Sequence, residues 1–528
     1  MRMLSKYINV DIQQQNINIA NDIEFLKHAK DKQYISKLLF KEISSSQSPE
    51  YINLCAIFAL ESLDKEIFEN SAVEFLQNKE IPDEKKFFII SLIKQKGIYF
   101  DYEEIEKYIK NPEEIAQNGV KDFLINTIFD SEVQIDLIDF YLNIPKSEKI
   151  YLLTNIATNE DVADSIACAV SIIVQLNIEK EEFEIAKNIL IESKSLYAIE
   201  GIEYILKNYK INLKERRKLQ NQLQQLKNIN PEFINNEIIK NSEIYDSYIS
   251  FIDGNSNFFL ILSRKMQDES IDAILLTIST REGISACMGF GNIAISNYTT
   301  IKKRLFCDSR PIKINPIAFK ALFKHYKDKN KRTNTPLPYE LIVWEKLLSD
   351  IQDINYDISE FINSKLDSTN LSEEKVRKFL DSKVTETWHW TQGQNKSIDN
   401  LIEKIEDEHI VNYKDIEKLI NDNIQSDFID NPEFMTEIKD RLLLGAYIAS
   451  LANLKISSQV AYSLCFKNPY LKLLISNLID KSIYEYLASI YEENIKQNAQ
   501  SIFKRGKKTS FNIQEIDKLM ADIEEKWK

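Results

Sequence analysis

Residues 49–77 read PEYINLCAIFALESLDKEIFENSAVEFLQ. Proline at 49 and glutamate at 50 open the stretch as the first turn of a helix prefers. Ile52, Cys55, Ala56, Ala59 and Leu63 then fall on one helical face. After a break at Asp64-Lys65, Phe68, Ala72, Phe75 and Leu76 do the same. Two short amphipathic helices in tandem make a hairpin, and neither can bury its apolar stripe alone. The pattern returns along the chain. Pro49, Pro82, Pro112 and Pro145 are spaced by 33, 30 and 33 residues, and acids follow each within three (Glu50, Asp83-Glu84, Glu113-Glu114, Glu148). The period continues without proline at Ile178-Glu179-Lys180-Glu181 and Ile211-Asn212-Leu213-Lys214. Isoleucine directly precedes the start of the unit at Ile81, Ile144, Ile178 and Ile211.

Repeating hairpins must stack to share a core. Over residues 22–228 the chain resembles the helical-repeat superfamily of HEAT and armadillo type. Its units are shorter than the HEAT period of about 40 and closer to the tetratricopeptide period, but the tetratricopeptide pattern of Trp, Leu-Gly, Tyr, Ala and Phe does not recur. The resemblance implies a solenoid over residues 1–230 with an extended surface for a protein or peptide partner.

Composition agrees with a mainly α fold. The 528 residues include only 10 Gly and 11 Pro, where average usage would supply roughly three dozen and two dozen. Turn-dense sandwiches, barrels and propellers are excluded as the main fold, and 44% hydrophobic content excludes global disorder. The net charge of −14 argues against nucleic acid as the main partner. Three short basic groups stand out against it: Lys214–Lys218, Lys324–Arg332 and Lys504–Lys508. Cys55, Cys168, Cys287, Cys307 and Cys465 are scattered and form no CxxC pair, which suits a reducing compartment. Met1–Lys6 leads into no apolar run, so no signal peptide is expected and the expected location is cytoplasmic. Leu442–Phe466, the most membrane-like stretch, carries Lys455 in its middle and reads as two buried helices.

After the Gln-rich stretch Leu213–Lys227 the texture changes. Tyr248–Gly254, Phe258–Ser263 and Ile271–Ile278 are β-branched apolar runs separated by turn residues, which predicts an antiparallel meander. Ile284–Ala294 is expected as a fourth strand or a loop, with Ser296 capping a helix to Phe306. The organisation expected beyond the solenoid is a small α+β module over 240–345, a polar helical segment over 346–430 and a helical C-terminal region over 431–528.

Motifs that carry chemistry are sparse. Gly289-Phe290-Gly291-Asn292-Ile293-Ala294 matches G-x-G-x-x-A, but a dinucleotide site needs it to open a helix inside a βαβ unit, and here it reads as a loop leaving the meander. Glu386/His389 and Glu406/His409 are both E-x-x-H, a spacing that puts both groups on one helix face as in di-iron bundles. No Walker A loop, G-x-S-x-G or H-E-x-x-H is present. No catalytic residue, cofactor or metal ligand is assigned. The expectation is a non-catalytic interaction scaffold, with an enzyme (metal or nucleotide site) and a helical-repeat nucleic-acid binder as alternatives. Phe290, Lys324, Lys327, Lys329, Arg332, Trp388 and Trp390 are the candidate contact residues. No membrane contact is expected.

Overall fold

The computed structural model describes residues 16–156, 162–229, 242–306, 311–354, 358–466, 468–499, 511 and 513–527. Residues 1–15, Cys307 and the basic group Lys504–Lys508 lie outside the described residues. The chain divides into two compact units, Met1–Pro231 and Glu232–Lys528.

The first unit is helical throughout. Its helices are α1 (Asn16–Lys27), α2 (Lys32–Ser45), α3 (Pro49–Ser62), α4 (Lys65–Gln77), α5 (Asp83–Gln95), α6 (Pro112–Asn126), α7 (Ser131–Asn143), α8 (Lys146–Ile156), α9 (Ala163–Ile173), α10 (Lys180–Glu192), α11 (Ala198–Asn208) and α12 (Leu213–Ile229). Every position that the 33-residue period marks is a helix start: Pro49 and Pro112 are first helical residues, Pro82 and Glu179 are N-caps, and α8 and α12 begin at Lys146 and Leu213. Each helix packs on a chain neighbour or on the helix after that, as α2 does on α3 and α4 and α10 does on α11 and α12. This is the bihelical-repeat arrangement. Polar ties repeat at the same spacing: Lys32 to Asp64 at 3.2 Å and Lys146 to Glu179 at 2.5 Å. Lys187, whose side chain is 1% exposed, reaches Glu184 and, across to α12, Glu215.

One repeat departs from the pattern. Where α5 should be followed by a second helix, the chain forms only a 3₁₀ turn over Tyr102–Lys107. Gly97 at φ +69° stops α5 in a Schellman-type cap, Ile98 N donating to Ile93 O at 3.1 Å, and Pro112 opens the next repeat too soon for another full helix.

The second unit is built on one antiparallel sheet of order β4-β3-β2-β1-β5. Its strands are β1 (Ser242–Ile249), β2 (Asn257–Met266), β3 (Ile271–Ser279), β4 (Gly283–Ile293) and β5 (Ile312–Lys313). Two details differ from the sequence expectation. The first strand begins N-terminal of Tyr248–Gly254 and overlaps it only at Tyr248 and Ile249, because Ser242–Ile249 pair with β2 while Phe251–Gly254 curve into the turn. The stretch 284–294 is an edge strand and no loop. Around the sheet lie α13 (Ile295–Phe306), α14 (Pro316–Thr333), α15 (Leu341–Trp344), α16 (Ile358–Asn363), α17 (Glu373–Leu380), α18 (Lys396–Asp407), α19 (Tyr413–Asn423), α20 (Pro432–Leu451), α21 (Lys455–Leu464), α22 (Leu471–Ala499) and α23 (Ile513–Trp527). The stretch 442–466 does divide at Lys455, where α20 has ended and α21 begins. No described helix is long and apolar enough to cross a membrane.

The stretches 240–345, 346–430 and 431–528 meet at the β1–β2 turn. Arg441 of α20, 0% exposed, donates from Nη2 to Gly254 O at 2.9 Å, Ser256 Oγ at 2.6 Å and Glu437 Oε1 at 2.8 Å. Its guanidinium lies 5.7 Å from the ring centre of Trp388 and 5.2 Å from that of Trp390. Trp388 Nε1 donates to Ile252 O at 3.1 Å. The turn sits so close to this segment that a Cβ on Gly254 would fall 1.5 Å from His389 O.

A methyl there must displace backbone. Gly254→Ala is therefore expected to destabilise the protein by about 3 kcal/mol. Gly119→Ala, at an exposed site in α6 with open space around it, is expected to stabilise by up to about 1 kcal/mol. Urea denaturation of the full chain checks both.

Candidate functional site

The sequence-nominated residues fall in different surroundings. Trp388 and Trp390 are 0% and 1% exposed, so they are core residues and not surface contacts. Their polar neighbours hid this, since the partner that buries them, Arg441, is far along the chain. Phe290 is half-buried, packed on the cluster that includes Ile261, Ile271 and Tyr298. The lysines of α14 are largely paired: Lys324 with Asp353 at 2.6 Å, Lys327 with Glu345, and Lys329 with the carbonyl of Thr280. Lys324 and Arg332 line a cavity of about 420 Å³ with His325, Asp328 and Asp353.

The two chemical motifs lose the geometry that would give them meaning. Gly289 and Gly291 lie in β4, where Gly289 makes room for the indole of Trp344; a Cβ would sit 1.8 Å from it. There is no phosphate-cradling loop. Glu386–His389 lies in a turn after α17, and His409 follows the end of α18 at φ +49°. Neither E-x-x-H pair therefore shares a helix face. His409 instead stacks on Phe511 and approaches Glu515 at 3.4 Å, while Tyr486 hydrogen-bonds Glu406. Among the described residues no group of three or more His, Cys, Asp or Glu side chains is placed to hold a metal ion.

A larger cleft, about 720 Å³, opens where four parts of the second unit converge. Thr280 and Arg281 come from the β3–β4 turn, Lys329 from α14, Gln394–Ser397 from the entry to α18, and Asn431–Glu437 and Asp440 from α20. Asn395 caps α18 by accepting from Ser397 N and Ile398 N, and Asn431 caps α20 by accepting from Glu433 N and Phe434 N. Both helices thus present their N-terminal ends to the cleft. Arg281 donates from Nη1 to Gln394 O at 2.8 Å and from Nη2 to Glu437 Oε1 at 2.7 Å.

The electrostatics follow from this sharing. Burial alone would raise the Glu437 carboxyl, but Arg281 and Arg441, helped by the Ser256 hydroxyl, outweigh it and hold it below its ordinary value. Burial lowers Arg441 to about 10, against the pull of Glu437. The enclosing walls push Asp440 up and Lys329 down, each opposed by the other across 3.9 Å. Of the nominated residues only Lys329 belongs to this cleft. Thr280, Arg281, Lys396, Glu437 and Asp440 carry no sequence signal beyond a turn and two helix caps, and nothing local says that these meet.

The first unit exposes apolar side chains. Thirteen of the eighteen large apolar side chains that are exposed among the described residues belong to it. Six of them, Val120, Ile125, Phe129, Phe140, Leu142 and Tyr151, lie in α6 to α8 and the connection after α6. The chain matches no protein-family model, no curated protein and no solved structure.

The His389 imidazole is held below its ordinary value by its surroundings. Burial lowers its imidazole, with Lys481 and Arg441 acting in the same direction and Glu485 and Asp253 opposing them. The unfolded chain then takes up a proton first, near its ordinary value of about 6.5. Stability is expected to fall as pH drops through that value and to level off below the folded one. The difference in urea midpoint between wild type and His389→Gln, followed from pH 8 to 5.5, should narrow on acidification.

Proposed function

We propose that this chain is a non-catalytic interaction scaffold, a helical-repeat protein of HEAT or armadillo likeness whose first unit binds a protein partner. The observation that carries this reading is the run of exposed apolar side chains between Val120 and Tyr151. Phe129 and Tyr151 are 73% and 71% exposed. Exposed aromatics are the usual anchors of protein interfaces. The four described cysteines form no disulfide, which fits action in a reducing cytoplasm.

The nucleic-acid alternative draws less support. Lys214–Lys218 and Lys324–Arg332 belong to different units, and several lysines of the second group are already neutralised by Asp353, Glu345 and Asp328. The enzymatic alternative loses both of its motifs to the geometry described above.

Affinity purification from the native host with mass spectrometry, run beside a Phe129→Ser/Tyr151→Ser variant, tests the proposal. A protein recovered near stoichiometry with wild type should fall at least about tenfold with the variant, because two truncated interface anchors cost more than 1.4 kcal/mol. Both side chains are exposed, so the circular dichroism of the variant should match wild type. Equal recovery by the two proteins would remove the assignment.

A further inference from the structure

Two buried donor atoms in the residues that line the cleft of the second unit have no partner. Arg281 uses both terminal nitrogens within the protein, yet its Nε has no partner. Thr280 is 3% exposed and its Oγ1 also has none, although its carbonyl accepts from Lys329. Glu437 Oε1 serves two guanidiniums and the Ser256 hydroxyl at once, so one carboxylate answers two buried or half-buried arginines. Besides the Thr280 carbonyl, Lys329 has a loose approach of 3.9 Å to Asp440, which leaves its ammonium a further proton to donate. Lys396, in the first turn of α18, adds an exposed ammonium to the rim. Buried polar groups in native proteins are normally satisfied, and an unsatisfied one in the wall of a cleft asks for a ligand.

We infer that this cleft binds the oxyanion group of a small molecule, a carboxylate or a phosphate, with Thr280 Oγ1, Arg281 Nε and Lys329 Nζ as donors. A backbone capped end of α18 and the Lys396 ammonium favour the same sign of charge. Glu433 and Asp440 in the same walls set an upper limit on the charge admitted, which disfavours polyphosphates and nucleic acid. The volume of about 720 Å³ suits a ligand of metabolite size. The inference does not depend on the partner surface of the first unit.

Thermal melting of the full chain tests it, with chloride replaced stepwise by inorganic phosphate or by acetate at constant ionic strength. Oxyanions also stabilise proteins through exclusion from the surface, so the variants decide the outcome. A saturable rise in Tm with phosphate alone assigns phosphate esters, with acetate alone assigns organic acids, and with both assigns the shared group. Thr280→Val removes a hydroxyl that has no partner in the protein. It should leave the Tm in chloride unchanged or higher and weaken the apparent affinity about tenfold, the loss of one hydrogen bond to a charged group. Lys396→Gln, at an exposed site, should weaken it by about threefold. The proposal is overturned if neither anion exceeds chloride, if Thr280→Val responds as wild type does, or if Thr280→Val lowers the Tm in chloride.

Discussion

Arg441 is a charge that the protein has taken fully out of water, and the second unit is arranged around keeping it there. Removing a guanidinium from solvent costs several kcal/mol unless its surroundings compensate. Glu437 supplies the counter-charge, Gly254 and Ser256 supply acceptors from the β1–β2 turn, and two indoles supply polarisable faces. Each compensating group has to stand at a fixed place. The turn must therefore enter the helical layer, the 388–390 segment must lie across it, and residue 254 must lack a Cβ. Arg281 reaches the same Glu437 oxygen from the cleft wall.

The first unit solves the same problem of cohesion by repetition. No single residue there ties distant parts together. Buried isoleucines and leucines line the packed faces of successive hairpins, and two salt bridges, Lys32 to Asp64 and Lys146 to Glu179, join neighbouring repeats. Stability in such an array is close to a sum over neighbours. That tolerates an irregular member such as the repeat that ends in a 3₁₀ turn at Tyr102–Lys107.

This contrast explains what could be read from the amino-acid sequence. The repeat starts at Pro49, Pro82, Pro112, Pro145, Glu179 and Asn212 were legible because caps, prolines and apolar stripes act within one turn of helix. Three strands were legible for the same reason, as β-branched apolar runs between turn residues. β5 was missed because two residues, Ile312 and Lys313, have no period. Trp388 and Trp390 were misplaced because their burial depends on Arg441, about fifty positions away. The E-x-x-H pairs looked meaningful only while a helix was assumed beneath them; a turn and a left-handed residue at His409 removed it. The cleft was illegible for a stronger reason. Its walls come from four places in the chain, and only Lys329 lay in a stretch that drew notice on its own.

Sequence separation also orders events during synthesis. Hydrogen bonds between repeats of the first unit span about 33 residues, so each hairpin can be sealed soon after the next one leaves the ribosome. The bond from Arg441 to Gly254 spans 187. At translation speeds of about 5–20 residues per second, the β1–β2 turn waits on the order of 10–40 seconds for the helix that encloses it. During that interval the sheet is present without its lid, while the N-terminal array is already complete. The nascent chain is thus half-assembled in a defined order, with its vulnerable period confined to the second unit.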